Sequence, residues 1–447
     1  MYALLIKQFV RSRISLVALL MLLIMGIIAI LIGRQFLVKQ EETIAKVTAH
    51  QRAHIERNVA AIDEMGLLLY YLKFSFISKP DKLAGISIGQ RDINPGIQSV
   101  TIRTLEAQKY DTDLTNPVQL QSGNLDLGFV IIYLFPLVII AFTFNLFSEE
   151  NESGTWRLVT IQSKSAFRFL LAKLSVRAIF IYGMLMLVFL MAAFVLPLPL
   201  TESFAAVIVL SVLYITFWFA LSFWLSMLKR SSGFNVLTLL TVWVTLTILL
   251  PAAVNNYVAS IYPVPEALST IVTQRDGYHK KWDMDKKITM DKFYAHYPQF
   301  QKYGIPDENF WIWYYAMQQM GDDESLQQAK AMREKIMQRE KASRMFSLLV
   351  PTMHTQLLFN DLAQTSLRNH TEFLVRTNEF HERMRLYFYP KIFETASVKN
   401  EGWRKHKPEY FLEKNDFSWP AAIAPLLIIT AIISILGAYN IKKLKTI

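Results

Sequence analysis

All eight histidines of this chain fall into two segments, residues 39–126 and 258–416: His50 and His54 in the first, and His279, His296, His354, His370, His381 and His406 in the second. His50 and His54 are four apart, so a helix would put them on one face, where two imidazoles can hold a metal if other ligands join them. No acid or further histidine nearby completes a ligand pattern, which points to surface histidines and to no metal site. Cysteine is absent. That excludes a disulfide framework, Cys-ligated zinc or iron–sulfur, and a thiol nucleophile. There is no G-x-x-x-x-G-K-[ST] phosphate loop, no H-E-x-x-H and no G-x-S-x-G, so nothing supports an enzyme reading or a cofactor in this chain.

The charge pattern that does stand out is Phe147-Ser148-Glu149-Glu150-Asn151-Glu152-Ser153-Gly154-Thr155-Trp156-Arg157-Leu158-Val159. Three acids precede a Gly-Thr pair. An amphipathic stretch, Trp156–Lys173, follows, with Leu158, Val159, Ile161, Phe167, Leu170 and Leu171 interleaved with Arg157, Lys164, Arg168 and Lys173. Such a helix can lie along lipid headgroups as a passive interfacial loop, or be the element that a separate motor protein pushes.

The elements that position this segment are membrane spans. The chain has 447 residues, 53% of them hydrophobic and 19% charged, with mean hydropathy +0.26. The apolar excess sits in long uncharged runs, which rules out a single soluble globule. Six windows are long enough to cross a bilayer: Ile14–Gly33, Leu127–Phe147, Ala178 to about Leu200, Phe204–Leu228, Phe234 to about Tyr257, and Phe417–Ile441. None contains an interior Asp, Glu, Lys or Arg, which argues against an ion-coupled carrier. The first is too long for a cleaved signal core and reads as a permanent anchor.

Lys7, Arg11, Arg13, then Arg157, Lys164, Arg168, Lys173, Arg177, then Lys229, Arg230, then Lys442, Lys443, Lys445 all fall on one side of a six-span layout. The positive-inside rule makes that side cytoplasmic and carries both termini there. The net charge of +11 is thereby accounted for by basic inside loops, with no nucleic-acid partner. The expected fold is an all-α polytopic membrane protein: six transmembrane helices with two extracytoplasmic, mainly helical insertions. Its parts are a cytoplasmic N-terminus and first span (1–38), an extracytoplasmic segment with a stalk-like helix (39–126), spans two to five with a cytoplasmic segment 148–177 (127–257), an extracytoplasmic helical domain (258–416), and a sixth span with a basic tail (417–447).

Within the insertions, Ile44, Val47, Ile55, Val59, Ile62, Met65 and Leu69 recur at helical spacing. One helix over Lys39–Leu72 would project about 50 Å as a stalk, or it packs as part of a compact domain. Alternation over Gln98–Leu105 predicts a short strand. Asp322, Asp323 and Glu324 opening a stretch that ends in Arg339, Lys341 and Arg344 predict a helix with its charges matched to its dipole. Pro351 separates it from a second helical stretch around Thr355–Tyr387. The dense aromatics Phe310, Trp311, Trp313, Tyr314 and Tyr315 are a domain core or interface belt, or else a partner surface.

Glu150-x-Glu152-x-Gly154-Thr155-x-Arg157-Leu158 straight after the second of six spans, with Lys173-x-x-x-Arg177 leading into the third, resembles the signature of ABC-2-type transporter permeases. Asn124-Leu125-Asp126-Leu127-Gly128-Phe129-Val130, and Asn360-Asp361-Leu362-Ala363-Gln364-Thr365-Ser366 with Phe373, resemble the subgroup with a large helical insertion between spans five and six, related to permeases linked to multicopper enzyme maturation. The resemblance covers nearly the whole chain. It implies export driven by separate cytoplasmic ABC ATPase subunits, which carry the ATP and Mg, and a second permease copy or paralogue. Membrane lipids and an extracytoplasmic partner protein are the other expected partners, and the expected location is the bacterial cytoplasmic (inner) membrane.

On this reading the coupling residues are Glu149, Glu150, Glu152, Gly154, Thr155, Arg157, Lys164 and Arg168. The acids anchor the junction with span two, Gly154 turns the chain at φ > 0, and Thr155 caps the next helix. Arg157, Lys164 and Arg168 meet lipid phosphate or the motor. The substrate-binding residues are not identified. The rival readings are a non-transporting membrane scaffold or receptor, and a mechanotransmitter in which ATP turnover moves the extracytoplasmic helices.

Overall fold

The computed structural model describes residues 1–94, 96–109, 124–162, 165–264, 280–305, 310–413 and 417–442. It is an all-α polytopic membrane protein. Six helices are long and apolar enough to cross a bilayer: Arg13–Ala61, Leu127–Glu152, Phe167–Val195, Glu202–Ser226, Ser232–Ile261 and Trp419–Asn440. Spans two and four are the most enclosed. They pack against each other, and span six lies along span four. The other spans present exposed Leu, Ile, Met and Phe side chains outward, such as Leu20, Leu190, Leu237 and Ile435, as a lipid-facing surface requires. A short helix, Tyr2–Arg11, packs Phe9 between Phe142 and Phe180. The bundle end that carries this helix and the end of span six is termed the terminal face. The domain at the opposite end is termed distal.

Two spans contain a π turn, Val130–Leu134 in the second and Thr245–Leu249 in the fifth. A π turn leaves backbone carbonyls off the regular i→i−4 ladder, and in lipid each must find another donor. Tyr214 donates its hydroxyl to the Ile132 carbonyl at 2.7 Å, and Trp243 its indole N–H to that of Tyr133 at 3.2 Å. Thr352 donates to the Leu246 carbonyl. These bonds knit span two to spans four and five, and span five to helix Pro351–Leu362.

The stalk expectation needs correction. One helix does run on from the first span, but it ends at Ala61, and its 49 residues make about 74 Å at 1.5 Å per residue. Ile62 turns to extended backbone, and a new helix, Met65–Tyr71, buries Met65, Leu68 and Leu69 in the distal core. The projecting half is a wall of a compact domain, not a free stalk. Gln51 is buried in it, accepting the Ser75 N–H at 2.7 Å and donating to the His406 carbonyl at 3.0 Å.

The distal domain holds a three-stranded sheet ordered β2-β1-β3, with β1 Phe74–Ser78, β2 Ile97–Val100 and β3 Glu409–Phe411. β2 runs antiparallel to β1 with Phe74 opposite Val100, and β3 runs parallel with Phe76 opposite Glu409. The strand expected over Gln98–Leu105 therefore exists but stops at Val100. The carbonyls of Thr101, Ile102 and Arg103 leave the sheet to accept from His381 and Arg385.

The long helix spans Phe310–Ser347. It begins twelve residues before Asp322, so that acid is mid-helix and not at a positive dipole end. Asp322 is half-buried and paired with Arg385 at 2.7 Å, while also accepting the Leu105 N–H at 2.9 Å. The 355–387 stretch is two helices, Pro351–Leu362 and Leu367–Phe393, broken where Gln364 takes φ +56°. Trp313, Tyr314 and Tyr315 are core, with the Tyr315 hydroxyl on the Gly66 carbonyl at 2.8 Å.

Of the two histidines read as surface residues, His50 is exposed and His54 half-buried. His354 and His381 are buried and His370 and His406 half-buried. His54 bonds the Tyr71 carbonyl at 3.0 Å and stacks on His50. His279 lies outside the described residues. Among the described residues no three His, Asp or Glu gather as a metal set.

Burial, then the neighbouring Arg385 charge, pushes His381 well below its ordinary 6.5. It stays neutral in the fold while the unfolded chain protonates near 6.5. Its contribution is therefore complete above that pH and falls as pH drops below it. From pH 7.5 to 6.0 this one group should remove about 0.8 kcal/mol of stability. His381→Gln should shrink the acid-induced drop in the unfolding midpoint by that increment, read by tryptophan fluorescence at the two pH values. Equal drops in variant and wild type would contradict the assignment.

Candidate functional site

At the terminal face, span two does not simply stop. Its helix loosens over Phe144–Phe147 and resumes as Ser148–Glu152. Ser226 and Asn235 close the loosened carbonyls, donating to Thr143 at 3.2 Å and Phe144 at 3.1 Å. The three acids then point to three partners. Glu150 accepts from Lys173 at 2.8 Å and from the Thr155 hydroxyl. Glu149 meets the same ammonium at 3.3 Å. Glu152 caps the fifth span, accepting the Ser232 N–H at 2.7 Å and its hydroxyl at 2.8 Å. Lys173 is only 5% exposed, so its carboxylates are a requirement: a buried ammonium left alone costs several kcal/mol.

Gly154 follows at φ +73°, and a Cβ placed there would meet nothing within 4 Å. Its constraint is the left-handed backbone itself, as the sequence anticipated. Thr155 sits at the start of the next helix, where its carbonyl accepts the Val159 N–H at 3.1 Å. Its hydroxyl reaches back to Glu150, locking the turn from inside.

The amphipathic stretch Trp156–Lys173 is not one helix. A short helix, Trp156–Gln162, is followed by a separate helix, Ala166–Val195, that continues into span three. Lys173 and Arg177 thus belong to the spanning helix, and Lys173 ties it to Glu149 and Glu150. The short helix is held by a small apolar cluster of Phe147, Leu170 and Met227 with Trp156, Phe169 and Phe223. Phe147 and Trp156 stack edge-on at 4.8 Å. Its other side is bare: Leu158 is 58% and Ile161 81% exposed. Arg157 and Arg168 are exposed beside them. Lys164 lies outside the described residues.

At the distal mouth of span two a second junction assembles two of the sequence segments singled out above. Asp126 accepts the Phe129 N–H that opens the span and the Ile88 N–H, both at 2.8 Å. Burial, against those two bonds, pushes its carboxyl up to about 6. Ser87 donates to Asn360 at 2.7 Å, and Thr365 donates to the Ser87 carbonyl at 3.0 Å. The 124–128 and 360–366 segments therefore meet through residues 86–89. Nearby, Gly33 of span one lies so close to the turn Lys82–Gly85 that a Cβ would fall 1.9 Å from the Gly85 oxygen.

Residues 267–410 are similar to a family described as a domain of unknown function, DUF3526. No curated protein and no solved structure matches the chain.

If Lys173 is the joint, its pairing with Glu150 is energetically coupled. Lys173→Met should cost about 2–3 kcal/mol, less than a fully sealed pair because Glu149 faces solvent. Glu150→Gln/Lys173→Met should recover about 1–2 kcal/mol of the summed single losses. Additive losses in a double-mutant cycle of unfolding midpoints would contradict the joint.

Proposed function

We propose that this chain is the membrane-spanning permease subunit of an ATP-driven exporter of the ABC-2 type. Its place is the bacterial cytoplasmic membrane, with both termini and the terminal face in the cytoplasm. It carries no nucleotide site of its own; ATP and Mg belong to a separate ATPase. The observation that carries this reading is the short helix Trp156–Gln162. It offers exposed Leu158 and Ile161 with basic neighbours on one side. On the other it packs through Trp156 against Phe147, Leu170 and Met227 at the ends of spans two, three and four, and the acidic turn before it is bonded to Lys173 and Ser232. A partner seated on that helix would move three spans at once, which is what coupling requires and a passive interfacial loop does not. A second permease copy would complete the pathway.

The 49-residue helix favours a second reading of the output. Because span one and the distal wall are one rod, motion of the span also moves the distal domain. ATP turnover could then act mechanically on an extracytoplasmic partner.

Gly154 provides the test. Valine at φ > 0 costs roughly 1–2 kcal/mol, whereas asparagine tolerates that region. Gly154→Val should reach the membrane at wild-type level, since insertion follows hydropathy, but recover less ATPase subunit on co-purification. Gly154→Asn should recover it normally. The chain purified alone should hydrolyse no ATP. Wild-type ATPase recovery with Gly154→Val removes the reason to call this segment a coupling element.

A further inference from the structure

We infer that the cleft between helix Tyr2–Arg11 and the terminal-face ends of spans one to three binds the phosphate of an anionic phospholipid through Arg177. The inference is independent of the transport reading.

The cleft has a volume of about 220 Å³. Gln8, Phe9, Ser12 and Phe142 line it, and Lys173 and Arg177 stand at its polar end with Glu149, whose charge Lys173 takes up. One turn separates the two cations on the same helix, yet their situations differ. Lys173 takes both nearby carboxylates, at 2.8 and 3.3 Å. Arg177 feels Glu149 and Glu150 at longer range, and among the described residues its hydrogen bond is to the Asn145 oxygen, 3.5 Å from one terminal nitrogen. Its other terminal nitrogen, Nη1, is buried with no hydrogen-bond partner among the described residues. A guanidinium nitrogen shut away from water with an unused donor is costly unless an anion completes it. Its planar fork matches phosphate geometry.

The surroundings say which phosphate. Arg177 stands immediately before the uncharged run that begins at Ala178, the depth at which headgroups lie. Ile14, on the cleft's rim, is 77% exposed, so the cleft opens where a lipid is at hand. Helix Tyr2–Arg11 continues that level, with Leu4, Ile6 and Val10 exposed beside Lys7 and Arg11, the composition of a helix lying in the interface. A phospholipid fits both walls, its phosphate on Arg177 and its glycerol and acyl start against Phe9 and Phe142. A free phosphate fits only the first.

The test is native mass spectrometry of the delipidated full chain titrated with phosphatidylglycerol, phosphatidylethanolamine, or phosphatidylglycerol plus millimolar inorganic phosphate. One phosphatidylglycerol should be retained in preference to phosphatidylethanolamine, and inorganic phosphate should not displace it. Losing one charge-assisted contact should weaken retention about tenfold in Arg177→Gln. Gln8→Trp, which fills the cleft and leaves every buried ion pair in place, should do the same even if Arg177→Gln fails to insert. Arg52→Gln, exposed on the distal domain, should change nothing. Undiminished retention in Gln8→Trp, equal retention of the two lipids, or displacement by inorganic phosphate would each overturn the inference.

Discussion

A lysine ammonium enclosed at the mouth of a membrane span must have carboxylates beside it, and much of the terminal face follows from that requirement. Lys173 is drawn to Glu149 and Glu150, so the end of span two and the start of span three are held together. Glu152, two residues on, is then placed over the first N–H groups of span five. The chain must leave this acidic turn in a new direction, and Gly154 does so at φ +73°. The short helix that follows is consequently presented with its tryptophan inward and Leu158 and Ile161 outward. The apolar cluster around Phe147, Trp156 and Leu170 holds the same junction from inside.

The bilayer imposes the complementary constraint. No water is available within it, so every irregularity in a span needs an internal partner. The π turns meet this with hydroxyl and indole donors from neighbouring spans. At the distal end Asp126 serves two backbone N–H groups and thereby joins the start of span two to residues 86–89. Arg385 plays the same part in the distal core, bonding two carbonyls, Gln319 and Asp322. The two ends are connected by a helix too long to stop at the membrane surface.

The six spans were legible because hydropathy reports directly on what lipid tolerates, and the observed helices differ from the windows mainly where they run past the bilayer. Gly154 was legible because a Gly-Thr pair between an acidic and an apolar segment leaves few alternatives to a turn. Strand β1 was not legible. Phe74, Phe76 and Ile77 are buried on both faces, so no alternation marks them. The break inside 156–173 was invisible for a related reason: periodicity continues across it. The same blindness turned Asp322 into a helix start, where a long-range polar contact with Arg385 outweighs the local pattern.

The central claim is that the face bearing Leu158 and Ile161 is where a motor seats. A photo-reactive amino acid at Ile161, activated in intact membranes, tests it most directly. The account predicts a crosslink to an ATP-binding subunit, lost when the same probe is placed at Leu190 on the lipid-facing side of span three. Crosslinks at Ile161 to lipid alone would contradict it.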